Sequence, residues 1–205
     1  MLRLIPFFVF AGMLAAQADD LVVPEQPTTL PASPKPFTMG ERFKWAAVSA
    51  VSPRRSAGYL ISSALSTAGN SPEEYGPHWD GFGKRLAIRA STGATGLMLE
   101  AGIGGLWGED PRYVRAPERP VKARLFNVVK MTFVARNRQG ETVPAYARYI
   151  AIPANSFISN AWRADSHATV DKAMMRLPLS LLDRIIANFF SEFWPEISKP
   201  LRRGK

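Results

Sequence analysis

The chain has 205 residues, a net charge of +9, 46% hydrophobic residues and no cysteine. That length suits one domain of ordinary size, and the absence of thiols excludes disulfide and thiolate chemistry. With only two histidines, little is left to build a metal site, so neither a metal nor a cofactor is expected.

Arg3, the apolar residues 4–14 and Ala16-Gln17-Ala18 together have the form of a signal peptide cleaved ahead of Asp19. The apolar run, about 15 residues, falls short of the roughly 20 that a spanning helix needs. Residues 1–18 are therefore read as a signal peptide, and the protein as exported to the periplasm or cell envelope. Removal of Arg3, the only charge in that segment, lowers the net charge from +9 to +8. So basic a protein meets anionic partners readily. An anionic membrane surface or envelope polymer is expected; nucleic acid is not, because an exported protein is removed from it.

Residues 19–37 carry Pro24, Pro27, Pro31, Pro34 and Pro36 and read as an extended tether, either a spacer or a disordered leader. A single helical domain over 38–197 and a basic tail over 198–205 follow. Thr38 and Glu41 fit a capping box that starts a helix running to about Val51. Ser52-Pro53 restarts the chain, and Ala57, Leu60, Ile61, Ala64 and Leu65 recur at helical spacing until Gly69. Ser71-Pro72-Glu73-Glu74 reads as one capped turn.

The segment from Trp79 to Arg115 is the expected centre of the fold. Gly83, Ala87, Ala90, Ala94 and Ala101 fall on one helical face, where small side chains let another backbone approach closely. Such a stripe serves helix packing in soluble bundles and in membranes alike, and homo-oligomerisation is compatible with it. Arg85, Arg89 and Glu100 interrupt the segment and argue against a lipid-spanning helix. Gly102, Gly104 and Gly105 predict fraying or bending before Trp107.

Beyond it, Glu109-Asp110-Pro111 predicts a turn or brief helix. Val121 to Gln139 reads as a helix with Leu125, Val128, Val129, Thr132 and Phe133 on one face and Gly140 as its stop. Tyr146 to Trp162 is a further helix, kinked or split at Pro153. The last runs from near Ser166 towards Phe193, broken locally at Pro178 and ended by Pro195. Its apolar arc from Ser180 to Trp194 is unusually wide, which suits a buried core helix or one that also meets lipid, with core burial expected for most of those side chains. No alternating strand pattern is evident. The predicted fold is thus all-α, an irregular bundle of five or six helices around the small-residue helix.

Four segments, Gly81-Phe82-Gly83-Lys84-Arg85, Glu109-Asp110-Pro111-Arg112-Tyr113, Ile158-Ser159-Asn160-Ala161 and Glu192-Phe193-Trp194-Pro195-Glu196-Ile197, together resemble a group of exported, helical bacterial proteins of unknown function. Members of that group carry a GFGKR- or GYGKR-like segment followed by DPRY. The resemblance implies one exported domain and no particular activity.

Candidate chemistry is sparse. Glu109 and Asp110 are adjacent carboxylates, a pair that can serve hydrolysis when the environment splits their pKa values, but Asp110 as a helix cap and Glu109 solvated or paired to arginine is the simpler account. His78 lies near Asp80, and His167 lies between Asp165 and Asp171, without a complete ligand or triad spacing. Ser156, Ser159 and Ser191 lack a nucleophile elbow, and no Walker or dinucleotide loop is present. A periplasmic enzyme using the Glu109–Arg112 turn and a histidine cluster is the alternative function. The leading expectation is a non-enzymatic envelope component at a membrane or anionic polymer. Arg112, Arg115, Arg119, Lys122 and Arg124 around the proline-rich linker, with Arg202 and Arg203 in the tail, are its candidate anion-binding residues. Tyr113 is expected to pack under the central helix.

Overall fold

A computed structural model describes residues 37–203, and side chains as far as Ile197. The predicted signal peptide, nearly all of the proline-rich segment and the side chains of Arg202 and Arg203 lie outside the described residues. Among these residues there are six α-helices and one two-stranded sheet. The helices are α1 (Met39–Ala50), α2 (Pro53–Ala68), α3 (Trp79–Trp107), α4 (Val121–Phe133), α5 (Tyr146–Ile158) and α6 (Val170–Arg203). Helix α3 packs against α1, α2 and α5, and α6 packs against α4 and α5.

The helix starts follow local chemistry. Glu41 N donates to Thr38 Oγ1 at 3.2 Å while Thr38 N donates to Glu41 Oε2 at 2.9 Å, closing the predicted capping box. Pro53 occupies the first turn of α2, although the Ser52 hydroxyl turns back to donate to Ser49 O at 2.9 Å instead of capping it. Helix α3 does not fray early: it runs through Gly102, Gly104 and Gly105 to Trp107 and stops at Gly108, whose φ of 72° is the left-handed conformation that glycine adopts without strain.

The close seam of α3 is not the predicted one. Gly83 and Ala87 are exposed, Ala90 and Ala94 are half-buried, and only Ala101 of that stripe is fully buried. Nothing lies near a Cβ added at Gly83, whereas one at Gly81 would strike the Tyr75 and Gly76 carbonyls and one at Gly93 the Tyr59 hydroxyl. At Gly96 a Cβ would come within 2.8 Å of the Asn155 amide. The true seam therefore runs through Gly81, Arg85, Gly93, Gly96, Glu100 and Gly104, displaced around the helix because polar side chains, not only small ones, occupy the contact.

Two further expectations are corrected. The segment read as one helix to Gln139 leaves α4 at Phe133 and becomes an antiparallel hairpin, β1 (Val134–Arg136) with β2 (Thr142–Pro144). Its strands, three residues each, are too short to show alternation; Asn137 Oδ1 accepts from Gln139 N and Glu141 N to form the turn, and Gly140 has a φ of 81°. Secondly, α5 is not split at Pro153, and α6 continues through both Pro178 and Pro195. A proline removes one helix hydrogen bond, but tertiary ties straddle each position in α6. Arg176 and Arg184 hold the chain on either side of Pro178, and Glu192 and Glu196 on either side of Pro195 both accept from Arg124. Of the turn or brief helix expected after α3, the segment takes no helical form: Asp110 N donates to Arg136 O at 2.7 Å, joining it to the hairpin as an isolated bridge.

If the seam is as described, Gly81→Ala should overpack it and cost about 1–3 kcal/mol, while Gly83→Ala should be neutral or stabilise by up to about 1 kcal/mol through helix propensity. Urea unfolding followed by circular dichroism separates the two, and equal effects would refute this placement.

Candidate functional site

The interior of the bundle is unusually polar. Its fully buried apolar residues are mostly alanines, with Leu97, Val128 and Met131, while Arg42, Arg85, Glu100, Glu109, Arg124, Arg148 and Glu192 are buried beside them. A buried charge is costly without partners: Glu100, Arg124, Arg148 and Glu192 are ion-paired, while Arg42, Arg85 and Glu109 hydrogen-bond to backbone groups.

Glu100, on α3, accepts from Arg148 Nη2 of α5 and from Arg184 Nη2 of α6, both at 3.0 Å. Arg148 Nη1 also donates to Met131 O at 2.9 Å and Thr132 O at 2.6 Å, the otherwise unpaired carbonyls at the end of α4. One carboxylate thus links four helices. Burial pushes the Glu100 carboxyl up, but the adjacent Arg184 and Arg148 outweigh it and hold the group below its ordinary 4.5. Burial and the like charge of Arg148 lower Arg184 to about 10, so it remains protonated at neutral pH.

Glu192 is 0% exposed and forms a second node. It accepts from Tyr113 Oη at 2.7 Å and Arg124 Nε at 2.8 Å, and Ala116 N donates to it at 3.2 Å. Asn127 Nδ2 donates to the same tyrosine oxygen at 3.0 Å. Burial, then the carboxylate, push the Tyr113 hydroxyl above its usual range. Tyr113 therefore anchors the segment after α3 on α6, not on the central helix as expected.

These contacts account for the residues singled out as catalytic. Ala147 N donates to Glu109 Oε2 at 3.1 Å, so this buried carboxylate caps the start of α5 and is neither solvated nor paired to arginine; burial raises its pKa. Asp110 is no helix cap but a bidentate partner of Arg112, with Nε–Oδ1 at 2.9 Å and Nη2–Oδ2 at 2.5 Å. His78 is exposed before the first turn of α3, and His167 lies in a short 3-10 turn whose neighbour Ser166 N donates to Glu74. Glu109 follows the far end of α3, a helix of 29 residues and thus about 43 Å long. The four candidates do not converge. Among the described residues no group of three or more His, Asp or Glu side chains is placed to hold a metal.

The anion-binding candidates divide similarly. Arg112 is committed to Asp110, Arg124 to Glu192 and Glu196, and Arg115 donates to Glu192 O at 3.1 Å. Arg119 and Lys122 are exposed.

The outer surface is the counterpart of the polar interior. On α4, Leu125, Phe126, Val129 and Phe133 face out, Phe126 with 69% exposure. On α5 the exposed side chains are Tyr146, Tyr149, Ile150, Phe157 and Ile158, and the helix's one charged residue, Arg148, is buried. On α6, between Met174 and Trp194, Leu179, Leu182, Ile186, Phe189 and Phe190 are exposed together with a single exposed charge, Asp183. The core burial expected for most of the arc from Ser180 to Trp194 is thus overturned, because the inward positions are taken by Arg184, Asn188 and Glu192. Ile61 and Leu65 of α2 are likewise exposed while Ser63 is 0% exposed. No described helix is long and apolar enough to cross a membrane. No family model, curated protein or solved structure matches the chain.

Sequence reasoning missed Glu100, Arg148, Arg184 and Glu192 as structural centres. The available signal was a lone charge in an otherwise apolar helical segment. Glu100→Gln leaves two buried arginines without a carboxylate and should cost about 3–5 kcal/mol. Because the folded-state pKa of Glu100 lies below 4.5, its stabilisation is present above the unfolded value and lost as pH falls through the folded one. Urea midpoints of the variant should accordingly fall less than those of wild type as the pH is lowered below 4.5; identical acid profiles would contradict the pairing.

Proposed function

We propose that the protein is an exported, non-enzymatic envelope component that associates peripherally with a membrane. One observation carries this reading: the side chains that would form the core of a water-soluble bundle lie on the outside of α4, α5 and α6, and the charges lie within. Contiguous apolar surface of this kind marks a place where lipid or protein replaces water. The α4 and α5 faces adjoin, since Tyr149 Oη donates to Phe133 O at 2.5 Å.

Magnitudes favour a membrane over an anionic polymer. Removing a half-exposed Leu, Ile, Phe or Met from water contributes on the order of 1 kcal/mol, and more than ten such side chains are available on these helices. Basic residues contribute a comparable amount each only close to an anionic bilayer, and salt screens it. Since three of the candidate arginines are already bonded internally, apolar insertion outweighs surface attraction. With no described helix able to cross, the association is read as interfacial, the helices lying in the headgroup region. The enzymatic alternative loses its footing because its residues stand at opposite ends of α3.

Co-sedimentation of the chain beginning at Asp19 with phosphatidylcholine and phosphatidylglycerol vesicles, at low and high salt, tests this reading. Binding that survives high salt is expected. Phe126→Ser and Ile150→Ser should each weaken it by about tenfold, equivalent to 1.4 kcal/mol, without lowering the melting temperature. A chain that ignores both vesicle types and sediments as a defined oligomer would instead assign the apolar faces to a second copy.

A further inference from the structure

Where α5 ends and α6 begins, three half-buried arginines from different elements come together. Arg163 Nε donates to Ser159 Oγ at 3.2 Å, Ser159 Oγ donates to Ser156 O at 3.0 Å, and Arg176 Nη2 donates to that same carbonyl at 2.8 Å. Arg163 and Arg176 are therefore separated by two small hydrogen-bonded groups. Arg163 Nη2 also reaches Thr92 Oγ1 at 3.3 Å, and Arg89, one turn earlier on the same face of α3, donates to Ser66 Oγ. Trp162 Nε1 donates to Thr92 Oγ1 at 3.2 Å, so this hydroxyl accepts twice and keeps its own proton to donate.

What distinguishes the cluster is that three arginines stand side by side with no carboxylate at ion-pair distance. Arg112, Arg124, Arg148 and Arg184 each form an ion pair, whereas among the described residues Arg89, Arg163 and Arg176, like the isolated buried Arg42 and Arg85, form none. Their acceptors are hydroxyls, carbonyls and one side-chain amide oxygen, that of Asn160. Buried Nε atoms of Arg89 and Arg176 have no hydrogen-bond partner. Asp183 acts on Arg89 through space without reaching ion-pair distance. Burial, then the charges of Arg176 and Arg89, lower Arg163 to about 10, so it remains charged at neutral pH, and burial lowers Arg89 and Arg176 in the same direction. Three like charges held together in partial burial are unfavourable unless an anion joins them. Planar guanidinium groups presenting several N–H donors suit the multiple oxygens of a phosphate better than a single carboxylate.

We propose that Arg89, Arg163 and Arg176, with the Thr92 hydroxyl, form a binding site for a phosphate oxyanion, either free phosphate or the headgroup phosphate of a phospholipid. Exposed Phe157 and Ile158 before the cluster and Met174 and Met175 after it would meet acyl chains in the second case. The site goes beyond the membrane reading and does not require it, since free phosphate can fill it in a protein that binds no vesicle.

Arginine-selective dicarbonyl labelling of the wild-type chain beginning at Asp19, read residue by residue by mass spectrometry, tests the proposal. Inorganic phosphate, compared with chloride at equal ionic strength, is expected to protect Arg89, Arg163 and Arg176 severalfold while the exposed Arg119 labels unchanged. Protection by phosphatidylglycerol but not phosphatidylcholine vesicles, in the absence of free phosphate, assigns the site to a lipid headgroup; protection by inorganic phosphate alone assigns it to the free ion. No protection by either probe, or equal protection of Arg119, overturns it. Arg163→Gln should weaken phosphate binding by about tenfold, with Arg119→Gln as the charge-matched control; because the labelling uses wild type, the result stands even if the Arg163 variant is unstable.

Discussion

Burying a carboxylate inside a helical bundle demands that cations be brought to it, and this demand organises the molecule. Glu100 gathers Arg148 and Arg184, and Arg148 in turn satisfies the last carbonyls of α4. Glu192 gathers Arg124 and Tyr113, and through them the irregular segment between α3 and α4. Each node joins elements far apart in sequence, so the relative positions of α3, α4, α5 and α6 follow from two side chains more than from a shared apolar core. Replacing such nodes by apolar residues is often neutral or stabilising in other proteins; their use here coincides with an exterior that is itself apolar.

That coincidence has a common cause. A helix with a wide apolar arc and a narrow polar one can turn either inward. In α6 the narrow face carries Arg184, Asn188 and Glu192, spaced four residues apart, and all three find partners on α3 or α4. The wide face, with Leu182, Ile186, Phe189 and Phe190, is left outside. Helix α5 follows the same rule with Arg148 inward and Tyr149 and Ile150 outward. A surface of this composition supports the membrane reading, while the three neighbouring arginines near the α5–α6 connection, unmatched by carboxylates, offer a place where an anion from outside would complete the pairing seen at Glu100 and Glu192.

The small-residue positions of α3 serve this arrangement differently from a simple helix seam. Gly93 and Gly96 leave room for the Tyr59 hydroxyl and the Asn155 amide, and Gly81 lets the loop carrying Tyr75 and Gly76 cross against the helix. Arg85 then donates to Ser71 O, Pro72 O and Gly76 O at 3.0, 2.7 and 2.7 Å, fastening that loop. Close approach here admits polar side chains and backbone carbonyls, not a second apolar ridge.

Local chemistry in the chain was enough to determine the helices and many of their ends. Thr38 and Glu41 cap α1, Pro53 opens α2, Gly69 closes it, and helical spacing without strand alternation marked the all-α class. Each of these depends on residues within a few positions of one another, which is why they could be read in one dimension. The hairpin at 134–144 was not legible, because three-residue strands carry no period and their pairing is long-range relative to their length. Prolines 178 and 195 do not break α6: their local cost is real, but contacts on both sides offset it. Above all, only the tertiary structure decided which face of each helix is buried: apolar periodicity identifies two faces without saying which one points inward, and the pairing of Glu100 and Glu192 with arginines distant in sequence settles that choice.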